Sequence, residues 1–360
     1  MEIKTRFGLL LTLLALAAVP MTASAQQLRE AFRKVSPSVV IVNTKRVDVP
    51  TVSEQTLTII DGLGSGVLIS NDGKILTAAH VVQTADVACV EFPDGQVIIA
   101  HVVGSDVRSD VALLQLERMP KDVAPASLGD SDKVEVGDQI FVVGAPYGIS
   151  QTLSAGHLSG RHRLNNSDQS PTSVEFLQTD AAVNGGNSGG PMFDIDGNVI
   201  GIVSSIMSHS GGSEGLAFAT AANTAKRLLL DRKPFWSGID GLLVSGDLAK
   251  ALNLPQPAGL LIERIGEGSI GSRLGINPGT LRATIQGADI LLGGDVVLSV
   301  NNIEITPARA PGGLGFNWAT SDESYERVYN TIAGLKPGDL VTAKILRGGK
   351  VVTLTTTVEP

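Results

Sequence analysis

Between about residues 35 and 220 the chain alternates short apolar runs with polar turns. Representative apolar runs lie at residues 39–42, 66–70, 140–143 and 199–204. The turns carry Gly, Asp and Asn, as in Asn71-Asp72-Gly73 and Asp196-Gly197-Asn198, and these residue types tolerate the backbone angles of tight turns. Many short strands at this spacing predict an all-β barrel or sandwich.

Helical periodicity flanks this β-rich stretch. Residues 28–35 predict a short amphipathic helix that Pro37 ends, and residues 221–230 predict another, with Pro234 just beyond. We therefore place a domain boundary after residue 234. The remainder, residues 235–360, mixes both patterns and predicts a compact α+β module. Its predicted strands are at 259–263, 295–300, 340–346 and 351–358, and its predicted helices are near 247–252 and 324–332.

The first 25 residues have the three parts of a secretory signal peptide. Lys4 and Arg6 precede an apolar run at 7–19, and Ala23-Ser24-Ala25 supplies a small-residue cleavage site. The run is shorter than the roughly 20 residues that span a bilayer, which favours a cleaved leader over a retained anchor. Cleavage after Ala25 would start the mature, exported chain at Gln26 and leave 26–234 and 235–360 as its two domains.

Composition indicates a globular, turn-rich protein. The 360 residues are 43% hydrophobic and 18% charged, with 41 glycines, which is enough to build two cores. The formal net charge is -8 and Lys and Arg form no long run, so no nucleic-acid partner is predicted. Cys89 is the only cysteine, which excludes an intrachain disulfide. Its apolar neighbours predict a buried structural thiol.

Three short segments, in the order His, Asp, Ser, carry the candidate chemistry. Leu76-Thr77-Ala78-Ala79-His80 delivers a histidine at the end of an apolar strand, and Ser109-Asp110-Val111 opens another strand with an aspartate. Gly185-Gly186-Asn187-Ser188-Gly189-Gly190 surrounds a serine with glycines. Each segment alone is a common turn or strand end. Together, in this order, they predict a nucleophilic serine with its base and the carboxylate that orients the base.

The chemistry explains why these residue types belong together. A serine hydroxyl is a weak nucleophile until a base takes its proton, and imidazole does so near neutral pH. We assign Ser188 as nucleophile, His80 as general base and Asp110 as the carboxylate that fixes the histidine tautomer. Glycine tolerates positive φ, and we assign the oxyanion hole to the backbone N–H groups of Gly186 and Ser188. The five histidines and one cysteine show no metal-ligand spacing, so no metal or other cofactor is predicted.

These segments resemble the HtrA (Deg) family of serine proteases. Further matches are Gly64-Ser65-Gly66-Val67, Leu128-Gly129-Asp130-Ser131-Asp132 and Gln178-Thr179-Asp180-Ala181-Ala182-Val183-Asn184. The resemblance covers most of residues 35–230 and implies a mainly β, chymotrypsin-like double β-barrel. It also implies a homotrimer and a Gram-negative periplasmic location. Gly185 departs from the family, which usually has Pro or Arg there, and this change is expected to loosen the loop before the oxyanion hole.

The C-terminal part is similar to the PDZ domain of the same family. Gly238 and Ile239 fall on its carboxylate-binding loop, and residues 294–301 resemble the stretch that enters a core strand. The resemblance implies that peptide C-termini bind at a sheet edge, with the carboxylate held by backbone N–H groups. Residues 280–292 and 307–322 interrupt the match as insertions.

The resemblance also implies a substrate pocket. In trypsin-like enzymes an acidic residue six positions before the serine selects Lys or Arg, and Ala182 matches that position. Val183 and Leu216-Ala217-Phe218 are expected to complete a small apolar pocket. We therefore expect cleavage after Val, Ala or similar aliphatic residues. Because such residues are buried in folded proteins, the expected substrates are unfolded or damaged polypeptides and peptides.

Two other functions stay open at this stage. The barrel could be an inactive chaperone or scaffold, although the complete His, Asp and Ser set argues against this. Alternatively, the protein is a signalling protease that cuts one specific partner when a peptide C-terminus occupies the PDZ-like groove. A single PDZ-like module fits that role as well as it fits general protein quality control.

Overall fold

The first element of the fold is a helix packed on the barrel that follows. The computed structural model describes residues 19–48, 58–164, 173–208, 212–285, 288–307 and 322–358. Helix α1, Val19–Val35, begins earlier than the predicted helix and ends where expected, before a single 3₁₀ turn at Ser36–Ser38 that contains Pro37. Ala31 and Val35 are buried in the core below. Residues 1–18, most of the predicted leader, lie outside the described residues. Within the described ranges, no helix has the length and apolar character to cross a membrane.

Six antiparallel strands close the first barrel in the order β1-β2-β3-β6-β5-β4. Side chains along β5 alternate between exposed and buried at its start, as expected where one sheet face meets a core. Helix α2, Ala79–Val82, follows β3. The strands are β1 Val39–Asp48, β2 Thr58–Leu68, β3 Lys74–Thr77, β4 Val87–Glu91, β5 Val97–Asp106 and β6 Val111–Leu116.

Cys89 corrects one expectation from the sequence. Its side chain is free and half-buried, whereas Ala88 and Val90 on either side of it are buried. Successive residues of a strand point to opposite faces, so the apolar neighbours of Cys89 face the core and the thiol does not.

A second closed barrel has the strand order β10-β11-β12-β9-β8-β7. Helix α3, Ala222–Leu229, follows it within one residue of the predicted bounds at each end. The predicted mainly β, double-barrel fold is therefore confirmed. The strands are β7 Gln139–Gly144, β8 Thr152–Arg163, β9 Glu175–Thr179, β10 Pro191–Asp194, β11 Val199–Ile206 and β12 Ala217–Ala221.

The barrels have separate inner cores and share a third. Val67 and Leu76 of the first barrel belong to one buried cluster with Phe141 and Phe193 of the second. The two phenylalanine rings stack with centroids 5.1 Å apart. Burial of this apolar area holds the barrels together. The segments that carry His80, Asp110 and Ser188 adjoin the ends of strands that contribute to this shared cluster.

The C-terminal module is a third sheet in the order β13-β14-β17-β19-β20, with β18 paired to β17. Every predicted strand is found, and helices α4, Gly246–Ala251, and α6, Asp322–Ala333, match the two predicted helices. Helix α5 is Ile270–Arg273. The strands are β13 Ile239–Ser245, β14 Ala258–Ile265, β15 Leu281–Ile285, β16 Ala288–Leu292, β17 Val296–Val300, β18 Ile303–Glu304, β19 Leu340–Arg347 and β20 Lys350–Thr357.

The first predicted insertion forms a small element of its own. Among the residues that the structure describes, β15 and β16 pair with each other alone and form a two-stranded hairpin. This hairpin occupies the predicted insertion at 280–292. Most of the second insertion, residues 308–321, lies outside the described residues.

Tyr329 joins the C-terminal module to the double barrel. Its side chain is buried, and its hydroxyl donates a 3.0 Å hydrogen bond to the Leu228 carbonyl. The ring packs edge-on against Phe235. Arg108 of the first barrel forms a 2.6 Å ion pair with Glu326 of α6, and the arginine side chain is only 3% exposed.

Candidate active site

The predicted histidine and aspartate are in direct contact. His80 lies in the first turn of α2, just past the strand end on which the sequence placed it, and Asp110 immediately precedes β6. His80 Nδ1 is 2.8 Å from Asp110 Oδ2 and 3.0 Å from Oδ1. The His80 backbone N–H also donates to Oδ1 at 3.0 Å. Since Nδ1 faces the carboxylate, Nε2 is left as the nitrogen that can accept a proton.

Asp110 is held from several directions. Its side chain is 1% exposed, and its φ of +54° is uncommon for a residue other than glycine. Ser204 of β11 donates a 2.6 Å hydrogen bond to Asp110 Oδ2, and Thr220 Oγ1 of β12 donates to the carbonyl of Ser109. The carboxylate of the first barrel is thus fixed by side chains of the second.

The aspartate raises the pKa of His80. Burial of the imidazole opposes its protonation, but the hydrogen bond to Asp110 and the negative charge of that carboxylate outweigh burial, so the pKa lies above its ordinary value. The imidazole is still 47% exposed and accessible from solvent. An orienting carboxylate that favours the imidazolium is what a general base in acyl transfer requires.

The loop before Ser188 presents the two predicted oxyanion amides. The Gly185 carbonyl accepts from the Tyr147 N–H at 3.1 Å, and the Asn187 carbonyl accepts from the Gly190 N–H at 2.9 Å. In a trans peptide the C=O and the following N–H point in opposite directions. These two bonds therefore turn the N–H groups of Gly186 and Ser188 away from Tyr147 and Gly190, and neither N–H donates to an acceptor within the described ranges.

Gly186 could not be replaced without rearrangement. Its φ is +97°, and a Cβ there would lie 2.5 Å from the Ala145 carbonyl oxygen. Gly185, by contrast, has open space around a Cβ. The loop conformation therefore requires glycine at position 186, whose N–H we assign to the oxyanion hole, and not at position 185.

Ser188 is anchored through its main chain. Its carbonyl accepts a 2.8 Å hydrogen bond from the N–H of Ser65 in β2, and β2 pairs with β3, the strand that leads to His80. The hydrogen bonds of the described residues include none between Ser188 Oγ and His80. Such catalytic bonds are often long before substrate binds and shorten in the complex.

Two of the predicted pocket residues pack in one cluster and two are exposed. Val183 and Ala217 share the inner core of the second barrel, Ala182 is exposed, and Leu216 is 39% exposed beside Ala217. The Val183 N–H donates to Ser213 Oγ at 3.3 Å. This bond connects the loop that precedes Ser188 to the segment before β12.

Phe218 does not belong to this pocket, which corrects the prediction. Its ring is buried in a separate cluster with Val174 and Phe176 and contacts His162 edge-on. Adjacent residues of a strand face opposite sides, so Phe218 cannot share the face that Ala217 presents.

The predicted carboxylate loop lies at the interface with the first barrel. Gly238 has a φ of +63°, and the Ile239 N–H donates to Ser237 Oγ at 3.3 Å. The Ile239 carbonyl accepts from Gln83 Nε2 at 3.0 Å. A cavity of about 370 Å³ is lined by residues of both modules, including Ile239, Ile332 and His80.

The remaining histidines have ordinary partners. His101 pairs with Glu117, His157 lies 3.8 Å from Asp180, and His162 contacts Gln178. His209 lies outside the described residues. Among the residues that the structure describes, no group of three or more His, Cys, Asp or Glu side chains could hold a metal ion.

Comparison with known proteins agrees with this geometry. Residues 64–202 match the sequence family described as the trypsin-like peptidase domain. A probable periplasmic serine endoprotease, DegP-like, of Pseudomonas fulva is 39% identical over 240 residues, which cover 65% of this chain and 49% of that protein. A solved structure of a variant of the HtrA-type protease AlgW with a decapeptide superposes with a TM-score of 0.52 at 29% identity and covers 92% of this chain and 97% of that one. The chain therefore contains a trypsin-like peptidase domain and is similar to serine proteases of the HtrA type.

A second relative agrees. A probable periplasmic serine protease of the do/HhoA-like type from Haemophilus influenzae is 39% identical over 236 residues, which cover 64% of this chain and 50% of that protein. The chain spans about half the length of these two curated relatives.

Sequence reasoning missed three residues that shape this HtrA-type site. Ser204 was treated only as the end of an apolar run, although a polar residue inside a buried strand is itself a signal that it has a partner. Ser65 was noted only as part of a matching motif, and Tyr147 was not noted. Their roles depend on contacts between distant segments, which no local pattern reveals.

Proposed function

We propose that this chain is an exported serine endopeptidase that hydrolyses peptide bonds of unfolded or damaged proteins. The observation that carries the proposal is the 2.8 Å contact between His80 and the buried carboxylate of Asp110. Beside it lies the loop whose Gly186 and Ser188 N–H groups donate to no acceptor in the described part of the chain. A base, an orienting carboxylate and two preorganised donors are the parts that acyl transfer needs.

The mechanism follows from these positions. Ser188 Oγ attacks the carbonyl carbon of the scissile bond while His80 Nε2 takes its proton, and Asp110 stabilises the imidazolium. The carbonyl electrons move to the oxygen, which the Gly186 and Ser188 N–H groups stabilise. His80 then protonates the leaving amine, and the acyl-enzyme forms as the C–N bond breaks. Water activated by His80 hydrolyses the ester and restores Ser188.

We propose cleavage after Val, Ala or similar residues. Val183 and Ala217 supply apolar surface, Ala182 carries no charge at the position that would select Lys or Arg, and Leu216 stands beside them. Phe218 takes no part because its ring faces elsewhere. Aliphatic side chains become available mainly when a substrate is unfolded, which supports a role in protein quality control.

Export to the periplasm is part of the proposal. It is supported by the signal-peptide pattern of residues 1–25 and by relatives that carry the word periplasmic in their names. We also propose the division into a protease domain at 26–234 and a PDZ-like domain at 235–360.

A homotrimer is proposed from family resemblance. In the proposed trimer, helix α1 takes part in the contacts between subunits. Within one subunit this helix is held on the second barrel, because Gln27 and Lys34 both bond to Asp196. Sedimentation velocity of the mature chain tests the proposal, since a trimer and a monomer differ threefold in mass.

The decisive test compares the mature protein with Ser188→Ala on unfolded casein and on a folded control protein. Ser159→Ala, which changes an exposed serine, is the matched control. We expect the parent and Ser159→Ala to cut casein after Val or Ala, as mapped by mass spectrometry, and Ser188→Ala to cut nothing. Absence of cleavage by all three, even with added C-terminal peptides, together with suppressed aggregation of casein, would favour the chaperone or scaffold.

A second candidate, a peptide-regulated signalling protease, is favoured by one observation. Gln83, which follows the short helix that carries His80, bonds to Ser237 and Ile239 of the PDZ-like module. Under this alternative, peptides with a free C-terminus bind near Gly238 and Ile239 and alter the rate. A substrate survey separates the roles: quality control cuts many unfolded proteins, whereas the signalling protease cuts one partner and responds to peptide.

A further inference from the structure

Ser65 sits where three catalytic segments meet. It lies in β2, is fully buried, and contacts the loop of Ser188, the end of β7 and the end of β3. Among the described residues, Ser65 makes four hydrogen bonds. Three of them are to main-chain groups and one is to the hydroxyl of a buried threonine.

The side chain makes two of these bonds. Ser65 Oγ donates to the Gly186 carbonyl at 2.7 Å and accepts from the Ala145 N–H at 2.9 Å. The main chain makes the other two: its N–H donates to the Ser188 carbonyl at 2.8 Å, and its carbonyl accepts from Thr77 Oγ1 at 2.7 Å.

We propose that Ser65 is a positioning residue whose hydroxyl holds the oxyanion hole in its working conformation. The inference rests on the proposed peptidase function and deepens it. Ser65 does not touch the reacting atoms. It acts through Gly186, whose carbonyl it bonds and whose N–H, in the preceding peptide, is one of the two oxyanion donors.

The chain needs a hydroxyl at this place. Gly186 and Ala145 are both buried, so the Gly186 carbonyl and the Ala145 N–H have to find partners inside the protein. A hydroxyl donates and accepts at once and satisfies both. The space is also small, because a Cβ on Gly144 would lie 3.1 Å from Ser65 Oγ and a Cβ on Gly190 would lie 3.1 Å from Ser65 Cβ.

The Ser65 bond holds the Gly186 carbonyl in a loop that is rich in glycine. Gly185 has no side chain and no neighbour within 4 Å of a Cβ position. Glycine has the widest choice of backbone angles. Without the Ser65 hydroxyl, the Gly186–Asn187 peptide loses its buried donor. The bond from Tyr147 to the Gly185 carbonyl is then left to orient the adjoining Gly186 N–H, and we expect this N–H to turn away from the developing oxyanion in a larger share of molecules.

The test measures ground-state and transition-state binding separately. Ser65→Ala and Ser65→Cys are compared with the parent in kcat, in KM, and in the affinity for a peptide boronic acid ending in boro-valine, which forms a tetrahedral adduct on the serine. Ser38→Ala is the matched control, because Ser38 is also buried and its hydroxyl also donates to a main-chain carbonyl, that of Val35, at 2.7 Å.

We expect Ser65→Ala to lower kcat by about 10- to 100-fold with KM changed less than about threefold, since oxyanion donors act in the transition state. Boronate affinity should fall by the same factor as kcat/KM. Ser65→Cys should lie between the parent and Ser65→Ala because a thiol is a weak donor. Ser38→Ala should stay within about twofold of the parent in both readouts.

The outcomes separate this inference from the proposed function. If the parent neither cleaves casein nor binds the boronate, the peptidase assignment fails. If the parent is active and folded Ser65→Ala keeps its kcat and boronate affinity, or loses no more than Ser38→Ala, the Ser65 inference is overturned and the peptidase assignment stands. Should Ser65→Ala fail to fold, Ser65→Cys decides: parental kcat would overturn the inference, and reduced kcat with unchanged KM would support it.

Discussion

Ser204 Oγ donates a 2.6 Å hydrogen bond to Asp110 Oδ2, the same oxygen that lies 2.8 Å from His80 Nδ1. Ser204 belongs to the second barrel, whereas Asp110 and His80 belong to the first. The two barrels must therefore be correctly docked before the carboxylate can orient the base. This relationship connects the packing of the fold to the chemistry of the site.

The first prediction concerns Ser204. Replacing it with Ala removes a hydrogen bond to a buried charge, which is typically worth about 1.5–3 kcal/mol, so we expect kcat/KM to fall by about 10- to 100-fold. Ser205→Ala is a matched control, since Ser205 Oγ is buried with no hydrogen-bond partner among the described residues. Equal activities for the two variants would show that the Ser204 bond does not support the base.

The second prediction concerns pH. His80 must be neutral to accept a proton, and Asp110 raises its pKa above the ordinary value. Activity should therefore fall as pH drops through a midpoint above about 6.5, with kcat/KM measured between about pH 5 and 9. A midpoint at or below about 6.5 would contradict this reading.

The same pair predicts a stability effect. The folded-state pKa of His80 is raised, so the contact of the imidazolium with Asp110 adds to the free energy of unfolding. This contribution is complete at pH values below the unfolded-state pKa of His80. It is lost as pH rises through the folded-state pKa. In Asp110→Asn the charge is gone and burial alone acts, so the imidazole pKa should drop. NMR titration of the His80 ring measures it directly.

The sequence predicted the elements well because their causes are local. Alternating apolar runs, turn glycines and the helix ended near Pro234 all lie within a few residues of the structure they produce. The three segments around His80, Asp110 and Ser188 were recognisable for the same reason, since each carries its own pattern of neighbours.

What the sequence did not predict depends on contacts across the chain. Ser65 bonds to Gly186 and Ser204 bonds to Asp110, both far away in sequence and in the other barrel, and no periodicity encodes that. Phe218 was misplaced because strand alternation fixes relative faces, whereas which face meets the pocket is set by tertiary packing. Cys89 was misplaced in the same way.

A third prediction concerns the oxyanion loop. Gly186→Ala would place a Cβ 2.5 Å from the Ala145 carbonyl oxygen at a φ of +97°, so the loop must rearrange and its N–H must move. We expect about a 100-fold or greater loss of kcat. Gly185→Ala, with open space around its Cβ, should retain activity within about threefold. Retained activity in Gly186→Ala, at unchanged thermal stability, would remove this amide from the oxyanion hole.

A fourth prediction concerns Gln83, which couples the two modules. Its side chain is 6% exposed. Nε2 donates to Ser237 Oγ at 2.9 Å and to the Ile239 carbonyl at 3.0 Å, while Oε1 accepts from Ser105 Oγ at 2.6 Å. Gln83→Ala removes these bonds and leaves the Ser105 hydroxyl, which is 3% exposed, without its acceptor, a loss that costs about 1–3 kcal/mol. We expect a lower free energy of unfolding and faster limited proteolysis between the modules.

A double-mutant cycle isolates the contact between the modules. If the Gln83–Ser237 bond holds the PDZ-like module against the first barrel, the stabilities of Gln83→Ala, Ser237→Ala and the double variant should be non-additive by about 0.5–1.5 kcal/mol. Chemical denaturation of all four proteins gives the value. Additive effects would mean that the Gln83–Ser237 bond contributes no stability between the modules. The helix that carries His80 would then have no link through this bond to peptide binding at the C-terminal module.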